Sequence, residues 1–354
     1  MKLFIVAYAT IQLYLNSKIN NNLLEKLFLV LIFLFVLGLI GNFLLGESWN
    51  RFFSKDIVQY RYGFIRPAGY FGHYAPNSYF FSMALITLFM LSAKTRSINK
   101  AIHIKKFFLL VIVDFMAAFP LTVRKGLFMI IPYGAYIFSL LSRAERIIFS
   151  LVASLFFIFF IFFISDTIMY ADTKQNFSNF FSGDHAYLRG LIVYHGISLF
   201  FEFFPYGVGN GLYGTFFSNF NFSVYQYVGL DPSIFIRDNG ALSAVYDSGI
   251  SALLAETGFV GFITFSFLIF TYFKYNKYYL DNSNYQIFKV ITYFALILSI
   301  TEPVWQNGFF TTFYISCLLF IYTKNDKYKV LNKWHFFDPT KYSQTTSFSY
   351  AKKN

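Results

Sequence analysis

The chain is poor in charge, in cysteine and in proline. Charged residues make up 13% of its 354 residues, which include 8 prolines and a single cysteine, Cys317. One cysteine excludes an intrachain disulfide, and no spacing of Cys and His is typical of a metal site. No run rich in Pro, or in Gly and Ser, marks a flexible linker. The sequence therefore predicts one domain rather than a set of joined modules.

In place of charge the chain has apolar and aromatic residues. Hydrophobic residues make up 56% and aromatic residues 23%, with a mean hydropathy of +0.51. Since a spanning helix needs about 17 to 25 apolar residues, we predict an all-α, polytopic integral membrane protein with roughly nine transmembrane helices, in a range of about 8 to 10. The predicted spans are Leu3–Leu15 (short), Leu23–Leu45, Ala75–Leu91, Phe107–Val123, Leu127–Leu141, Ile147–Ser165, Leu253–Phe273, Ile287–Pro303 and Gly308–Tyr322.

The basic residues predict the orientation of these spans. The net charge of +12 is spread between spans rather than gathered in a soluble region, so we expect no nucleic-acid partner. Basic residues crowd alternate connections: Lys94, Arg96, Lys100, Lys105 and Lys106, then Arg143 and Arg146, then Lys274 and Lys277, then the tail. By the positive-inside rule these connections face the cytoplasm. We thus predict a transmembrane domain over residues 1–323, with a large periplasmic loop at 166–250 that contains interfacial helices, and a polar cytoplasmic tail over 324–354.

Four arginines fall on the predicted outer side, where the topology rule does not require positive charge: Arg66, Arg124, Arg189 and Arg237. Ionisable groups beside membrane spans are costly, and their default interpretation is functional. The alternative is that they extend to lipid headgroups. Clustered arginines are suited to diphosphate because their planar guanidinium groups bind phosphate through two bonds.

Three outer segments carry these arginines. Arg66 precedes an irregular stretch with His73, and Asn77 stands at the first turn of the next helix, where an anion would meet free N–H groups. Arg124 and Lys125 form a tight corner, which can also be explained as cations at a helix C-terminus. The loop carries His185 and Arg189, then an apolar helix over 191–204.

A glycine run follows that helix, with Gly207, Gly209 and Gly211. No strand-turn-helix unit surrounds it, so we reject a dinucleotide-binding fingerprint. The run instead predicts close approach of the backbone to a ligand or to a neighbouring helix.

Taken together, these segments resemble the O-antigen polymerase and ligase superfamily. The likeness rests on their order and covers roughly residues 61–273. The segments are Arg66–Asn77, Leu121–Gly126 at an outer corner, Arg189 about one helix ahead of Pro205–Gly211, and Ala255–Gly261 opening the next span.

The resemblance implies a bacterial inner-membrane glycosyltransferase with its active site facing the periplasm and no need of a metal or cofactor. Such an enzyme moves a glycan from an undecaprenyl diphosphate carrier to an acceptor. Arginines can stabilise charge on the leaving diphosphate, and the acceptor hydroxyl needs a base. The implied partners are the undecaprenyl-diphosphate-linked donor and acceptor oligosaccharides, membrane lipids and a chain-length regulator protein.

Asp247 is where the chain departs from the ligase pattern. Ligases of the superfamily have a His followed by Asn nine residues before the Glu of a Glu-x-Gly motif, and Asp247 and Ser248 take that place before Glu256. The departure favours a polymerase of O-antigen, capsule or exopolysaccharide repeat units over an O-antigen ligase. Asp247 is then the candidate base, and a helix N-cap is its other interpretation.

These considerations assign expected roles to thirteen positions. The predicted catalytic residues are Arg124, Arg189 and Asp247; those binding diphosphate or glycan are Arg66, Lys125, Arg237, His73, Asn77, His185, Gly207 and Gly209; Glu256 and Gly258 are expected to be structural. A flippase or transporter of lipid-linked oligosaccharides is the other class considered. It would show an internal repeat and several mid-span ionisable groups, whereas Asp114 is the one clear mid-span acid.

Overall fold

The computed structural model describes residues 2–16, 20–54, 60–61, 64–65, 69–70, 74–94, 104–113, 124–165, 188–235, 249–300, 302–304 and 307–325. Within these ranges the regular secondary structure is helical, apart from one antiparallel pair in which Tyr60 lies opposite Ile65 and Arg61 opposite Phe64, and turns and irregular segments such as residues 203–215 connect the helices. The predicted helical fold class is therefore confirmed for this part of the chain. Residues 326–354 of the predicted tail lie outside it.

Twelve α-helices are present in the described ranges. They are α1 (Lys2–Asn16), α2 (Asn21–Leu45), α3 (Glu47–Ser54), α4 (Tyr74–Lys94), α5 (104–113), α6 (Ile130–Leu140), α7 (Arg143–Ser165), α8 (Leu188–Glu202), α9 (Ser223–Tyr227), α10 (Gly249–Tyr279), α11 (Asn282–Leu298) and α12 (Gly308–Thr323). Short 3₁₀ turns lie at Arg124–Met129, Phe216–Phe220 and Pro232–Phe235, and the strands are β1 (Tyr60–Arg61) and β2 (Phe64–Ile65).

By length and composition, α2 and α10 could each cross a membrane, with mean hydropathies of 2.8 and 1.9. The surface of α2 is largely apolar and exposed, as at Phe33 and Phe43. Shorter apolar helices include α1, α6 and α12. The number of spans stays a prediction.

Contacts between helices define two ends of the bundle. At one, the first residues of α10 bond to the end of α11 through Gly249 N–H and Ser299 O (2.9 Å), and Tyr79 near the start of α4 meets Phe310 near the start of α12. We call this the loop end, because residues 188–235 pack there. At the opposite, far end, Lys324 after α12 pairs with Glu25 at the start of α2 (2.6 Å).

The two ends differ in charge. Contacts at the far end place most of the described basic side chains there: Lys26, Lys105, Lys106, Arg143, Arg146, Lys274, Lys277 and Lys324. The described charged side chains of the loop end are mostly carboxylates: Glu47, Glu202, Asp231, Glu256 and Glu302, with Arg51 beside Glu47. Among the described side chains, basic groups therefore predominate at the far end, beside the acids Glu25, Glu145 and Asp281, and acidic groups predominate at the loop end.

Several predicted boundaries were wrong. The span predicted over Leu127–Leu141 is a 3₁₀ turn followed by the 11-residue helix α6. The span predicted to reach Pro303 ends at Leu298. The span predicted over Leu253–Phe273 belongs to the longer α10, whose backbone is interrupted at Gly258. A hydropathy profile does not detect these turns and breaks, because most of their residues are apolar or small and leave the mean hydropathy high.

Candidate functional site

The break in α10 organises the loop end. Gly258 has φ 58° and ψ −156°, which is outside the helical region and favours glycine. In an unbroken helix the carbonyls of Ala255 and Glu256 would accept hydrogen bonds from Phe259 and Val260. The break leaves these backbone groups without helical partners, and buried groups of this kind need others.

The glycine run supplies those partners. Val208 N–H donates to Ala255 O (2.8 Å) and Gly209 N–H donates to Glu256 O (3.0 Å). In return, Val260 N–H donates to Pro205 O (3.2 Å). Residues 205–209 therefore satisfy the interrupted helix by backbone-to-backbone bonds, and we call this contact the glycine crossing.

Two glycines make the crossing possible. A Cβ on Gly207, whose φ is 78°, would stand 2.5 Å from Ala255 O. A Cβ on Gly258 would stand 2.5 Å from both Pro205 O and Gly207 N. Neither position has room for any side chain, so the run approaches a neighbouring helix, one of the two possibilities that its sequence left open.

The carboxylate of Glu256 fixes the rest of the loop. It is 7% exposed, and its Oε1 accepts from Tyr213 N–H (3.0 Å) and from Thr215 Oγ1 (2.9 Å). Burial raises the pKa of this carboxyl, and hydrogen bonds from Tyr213, Thr215 and the backbone amides of Gly211 and Leu212 oppose that shift by stabilising the charged form. Hydrogen bonds to a charged acceptor are stronger than neutral ones, so this carboxylate is occupied in holding residues 211–215.

A small aromatic core completes the loop. The rings of Tyr213 and Tyr225 stack with centroids 5.0 Å apart, and Tyr213 Oη donates to Ile192 O (2.6 Å). Tyr225 Oη accepts from Gly214 N–H (2.8 Å), and burial raises the pKa of Tyr225 to about 12. Residues 188–235 thus form a packed unit rather than an open loop; we call it the loop unit.

Helix α8 runs parallel to the first half of α10. Gly196 lies against Ser251: a Cβ added to Gly196 would stand 2.8 Å from Ser251 Cβ. Eight residues further along each segment, the ring centroids of Phe204 and Phe259 are 5.4 Å apart. Arg189 is seven residues before Gly196, whereas α10 begins two residues before Ser251. At about 1.5 Å per residue, the first turn of α8 reaches several ångströms beyond Gly249.

The 3₁₀ corner of Arg124 and Lys125 packs on the start of α4. Gly126 is buried, and a Cβ there would collide with Ser78 Oγ and approach Ser82 Oγ to 2.8 Å. The first turn of α4 includes the backbone of Asn77. The structure therefore brings the Arg124 corner and Asn77 into adjacent backbone positions at the loop end.

The segment after Arg66 is also held at this end. Gly69 N–H donates to Asn42 Oδ1 near the end of α2 (3.1 Å), and Trp49 Nε1 donates to Gly69 O (3.1 Å). These contacts hold Gly69, which is three residues after Arg66, at the loop end.

The predicted site residues thus fall into three groups. Gly207, Gly209, Glu256 and Gly258 meet in the glycine crossing. Asn77, Arg124, Lys125 and Arg189 have described backbones at the loop end, and their side chains lie outside the described part. Arg66, His73, His185, Arg237 and Asp247 lie outside the described residues altogether.

Glu302 is a further carboxylate at the loop end that the sequence did not single out. It is half-buried, in the turn between α11 and α12, three residues after Ser299. That turn is bounded by the contact of Ser299 with α10 and the contact of Phe310 with α4. A lone Glu beside a proline carries no motif, so no sequence signal marked it.

Among the described residues, no three His, Cys, Asp or Glu side chains come together as a metal site would require. Comparison of the chain with protein-family models, with curated proteins and with solved structures gave no match. The family resemblance accordingly stays a prediction.

Proposed function

We propose that the chain is a multi-pass inner-membrane polymerase of lipid-linked glycan repeat units, acting at the outer, periplasmic face. The observation that carries this proposal is the convergence at the loop end. The Arg124 corner packs on the first turns of α4, and the first turn of α8, with Arg189, extends beyond the start of α10. Segments distant in sequence thus bring the backbones of Arg124 and Arg189 to one end.

The charge distribution supports the orientation. Eight described basic side chains stand at the far end, which the positive-inside rule assigns to the cytoplasm. The loop end then faces the periplasm, where the arginines are unexplained by topology. A diphosphate-linked sugar presented at that surface would supply the anion that they need.

The reaction is a glycosyl transfer. The acceptor hydroxyl oxygen bonds to the donor's anomeric carbon while the bond from that carbon to the diphosphate oxygen breaks, and its electron pair leaves with the diphosphate. Arg124, Arg189 and their neighbours stabilise that charge. The hydroxyl proton passes to a carboxylate, for which Asp247 is one candidate and Glu302 a second.

Glu256 and the two crossing glycines have a positioning role in this scheme. The Glu256 carboxylate is committed to the backbone of residues 211–215, and the glycine crossing fixes the loop unit on α10. Catalytic groups must be held in place by their supports to be effective.

Alanine substitution of the arginines tests the proposal. Arg124→Ala and Arg189→Ala, expressed in a strain lacking the native chain, should each abolish long glycan at unchanged protein level. The matched control is Arg51→Ala, which removes an exposed arginine that pairs with Glu47 at the same end. Glycan chains of normal length in both arginine variants would reject the catalytic assignment. Glu302→Gln, compared with Glu47→Gln, tests the second candidate base in the same assay.

The deletion strain separates the alternatives. Surface glycan limited to one repeat unit supports a polymerase, whereas long polymer retained on the lipid carrier identifies a ligase. Unchanged glycan rejects both.

A further inference from the structure

The break in α10 separates two different surfaces. Every residue from 249 to 258 is buried or half-buried. From Phe259 onward large apolar side chains are exposed: Phe259, Val260, Phe262, Ile263, Phe267 and Phe270, between 40% and 69%. The part of α10 suited to contact lipid therefore begins at the break.

The lengths of α10 and α11 show how the first half of α10, before the break at Gly258, is directed. The part of α10 from Phe259 to Tyr279 is about 31 Å long at about 1.5 Å per residue, close to the thickness of a hydrocarbon core. Helix α11, with 17 residues, is shorter. Yet Gly249 bonds to Ser299 at the end of α11, while Tyr279 stands three residues before its start. The first half must therefore turn back across the loop end, and α8, which runs parallel to it, does the same.

An exposed aromatic patch lies where α8 reaches the break. It consists of Phe201, Phe203, Phe204, Tyr206 and Tyr227, which are 69%, 37%, 59%, 75% and 59% exposed. The ring centroids of Phe203 and Tyr227 are 5.6 Å apart, and those of Phe204 and Phe259 are 5.4 Å apart. The patch is thus continuous with the lipid-facing surface of α10.

We propose that this aromatic patch is a membrane seat, embedded in the headgroup region of the outer leaflet. Its continuity with Phe259 points to lipid as the occupant, because the exposed rings of the patch extend the exposed apolar surface of α10 beyond the break. Trp and Tyr favour this region, the patch contains Tyr206 and Tyr227, and Glu202 beside Tyr227 would face the headgroups. The seat would hold the loop unit against the membrane, so that a lipid-linked glycan reaches it without leaving the bilayer.

Spin labels test the seat. With Cys317, the single cysteine of the sequence, changed to alanine, cysteines at Phe201 and Tyr206 are labelled with nitroxide in lipid nanodiscs. Collision with oxygen, enriched in lipid, is then compared with collision with a water-soluble nickel chelate. Phe267 of α10 serves as the lipid-facing control and the exposed Ser233 as the water-facing one.

The expected result is an oxygen-to-nickel ratio at both patch positions well above that at Ser233 and approaching that at Phe267. Patch ratios equal to that at Ser233, with a high ratio at Phe267, would overturn the seat while leaving the membrane location intact. A low ratio at Phe267 itself would overturn both. The inference rests on the proposed membrane location and not on glycosyl transfer, so the arginine variants can fail or succeed independently of it.

Discussion

The loop end and the far end of the bundle are both held by polar contacts, but of different kinds. At the far end, side chains join helices: Tyr322 Oη donates to Asn276 Oδ1 (2.8 Å), and Asn325 Nδ2 donates to Tyr279 O (2.7 Å). At the loop end, backbone bonds to backbone across two glycines, around the buried carboxylate of Glu256. The far end ties helices into a bundle, whereas the loop end holds an irregular segment in one position. The second arrangement suits the proposed catalytic site, since catalysis depends on groups fixed before the substrate arrives.

The glycine crossing is the most sensitive feature of this comparison. Gly258→Ala should destabilise the fold by about 3 kcal/mol or more, because the new Cβ meets Pro205 O and the left-handed φ is unfavourable for alanine. Gly207→Ala should behave in the same way. Thermal unfolding of the purified protein measures the loss, and protease cleavage within residues 205–235 shows whether the loop unit detaches.

Gly229→Ala is the control for that prediction. Gly229 has a φ of 78°, like Gly207, but a Cβ there would meet no atom within 4 Å. Its cost should be only about 1 kcal/mol, from backbone conformation alone. If Gly229→Ala and Gly207→Ala lost the same stability, the backbone conformation of the glycine, and not the contact at the crossing, would be the cause of the loss.

The second prediction concerns Glu256. Glu256→Ala should cost about 2 to 3 kcal/mol, because the buried N–H of Tyr213 and the hydroxyl of Thr215 lose their acceptor. The cleavage rate of the loop unit should rise while contacts at the far end persist. Thr215→Val removes only one of the donors and should cost less. A Glu256→Ala protein with unchanged unfolding and cleavage would contradict the anchoring role.

The third prediction moves to the far end. Tyr322→Phe removes one hydroxyl and leaves Asn276 Oδ1 without that donor, which should cost about 1 to 2 kcal/mol. Because the contact joins helices, cleavage of the loop unit should stay at its normal rate. Faster cleavage of the loop unit in Tyr322→Phe would show that the two ends are coupled. The difference between their contacts would then not separate a structural end from a functional one.

The sequence predicted the helical class, but it predicted the site less well. The glycine run was correctly reduced to a close backbone approach, since no nucleotide-binding unit surrounds it. Its partner at Gly258 was not identified, because a single glycine within an apolar run looks like continuous helix. The position of Glu302 depends on helices that meet through Ser299 and Phe310, and such long-range pairing leaves no trace in local periodicity.

The smallest effect is expected for the pair of Lys324 and Glu25. The pair joins the end of α12 to the start of α2 at 2.6 Å, but the lysine side chain is 41% exposed. Exposed ion pairs contribute about 0 to 1 kcal/mol and weaken with salt, so Lys324→Ala should shift unfolding slightly, and less at high salt. A charge-conserving control is Lys324→Arg, which should unfold like the parent protein. Since Lys324 belongs to the basic set that supports the orientation, a large loss in Lys324→Ala would give it a structural role as well. Its positive charge would then be weaker support for a cytoplasmic far end.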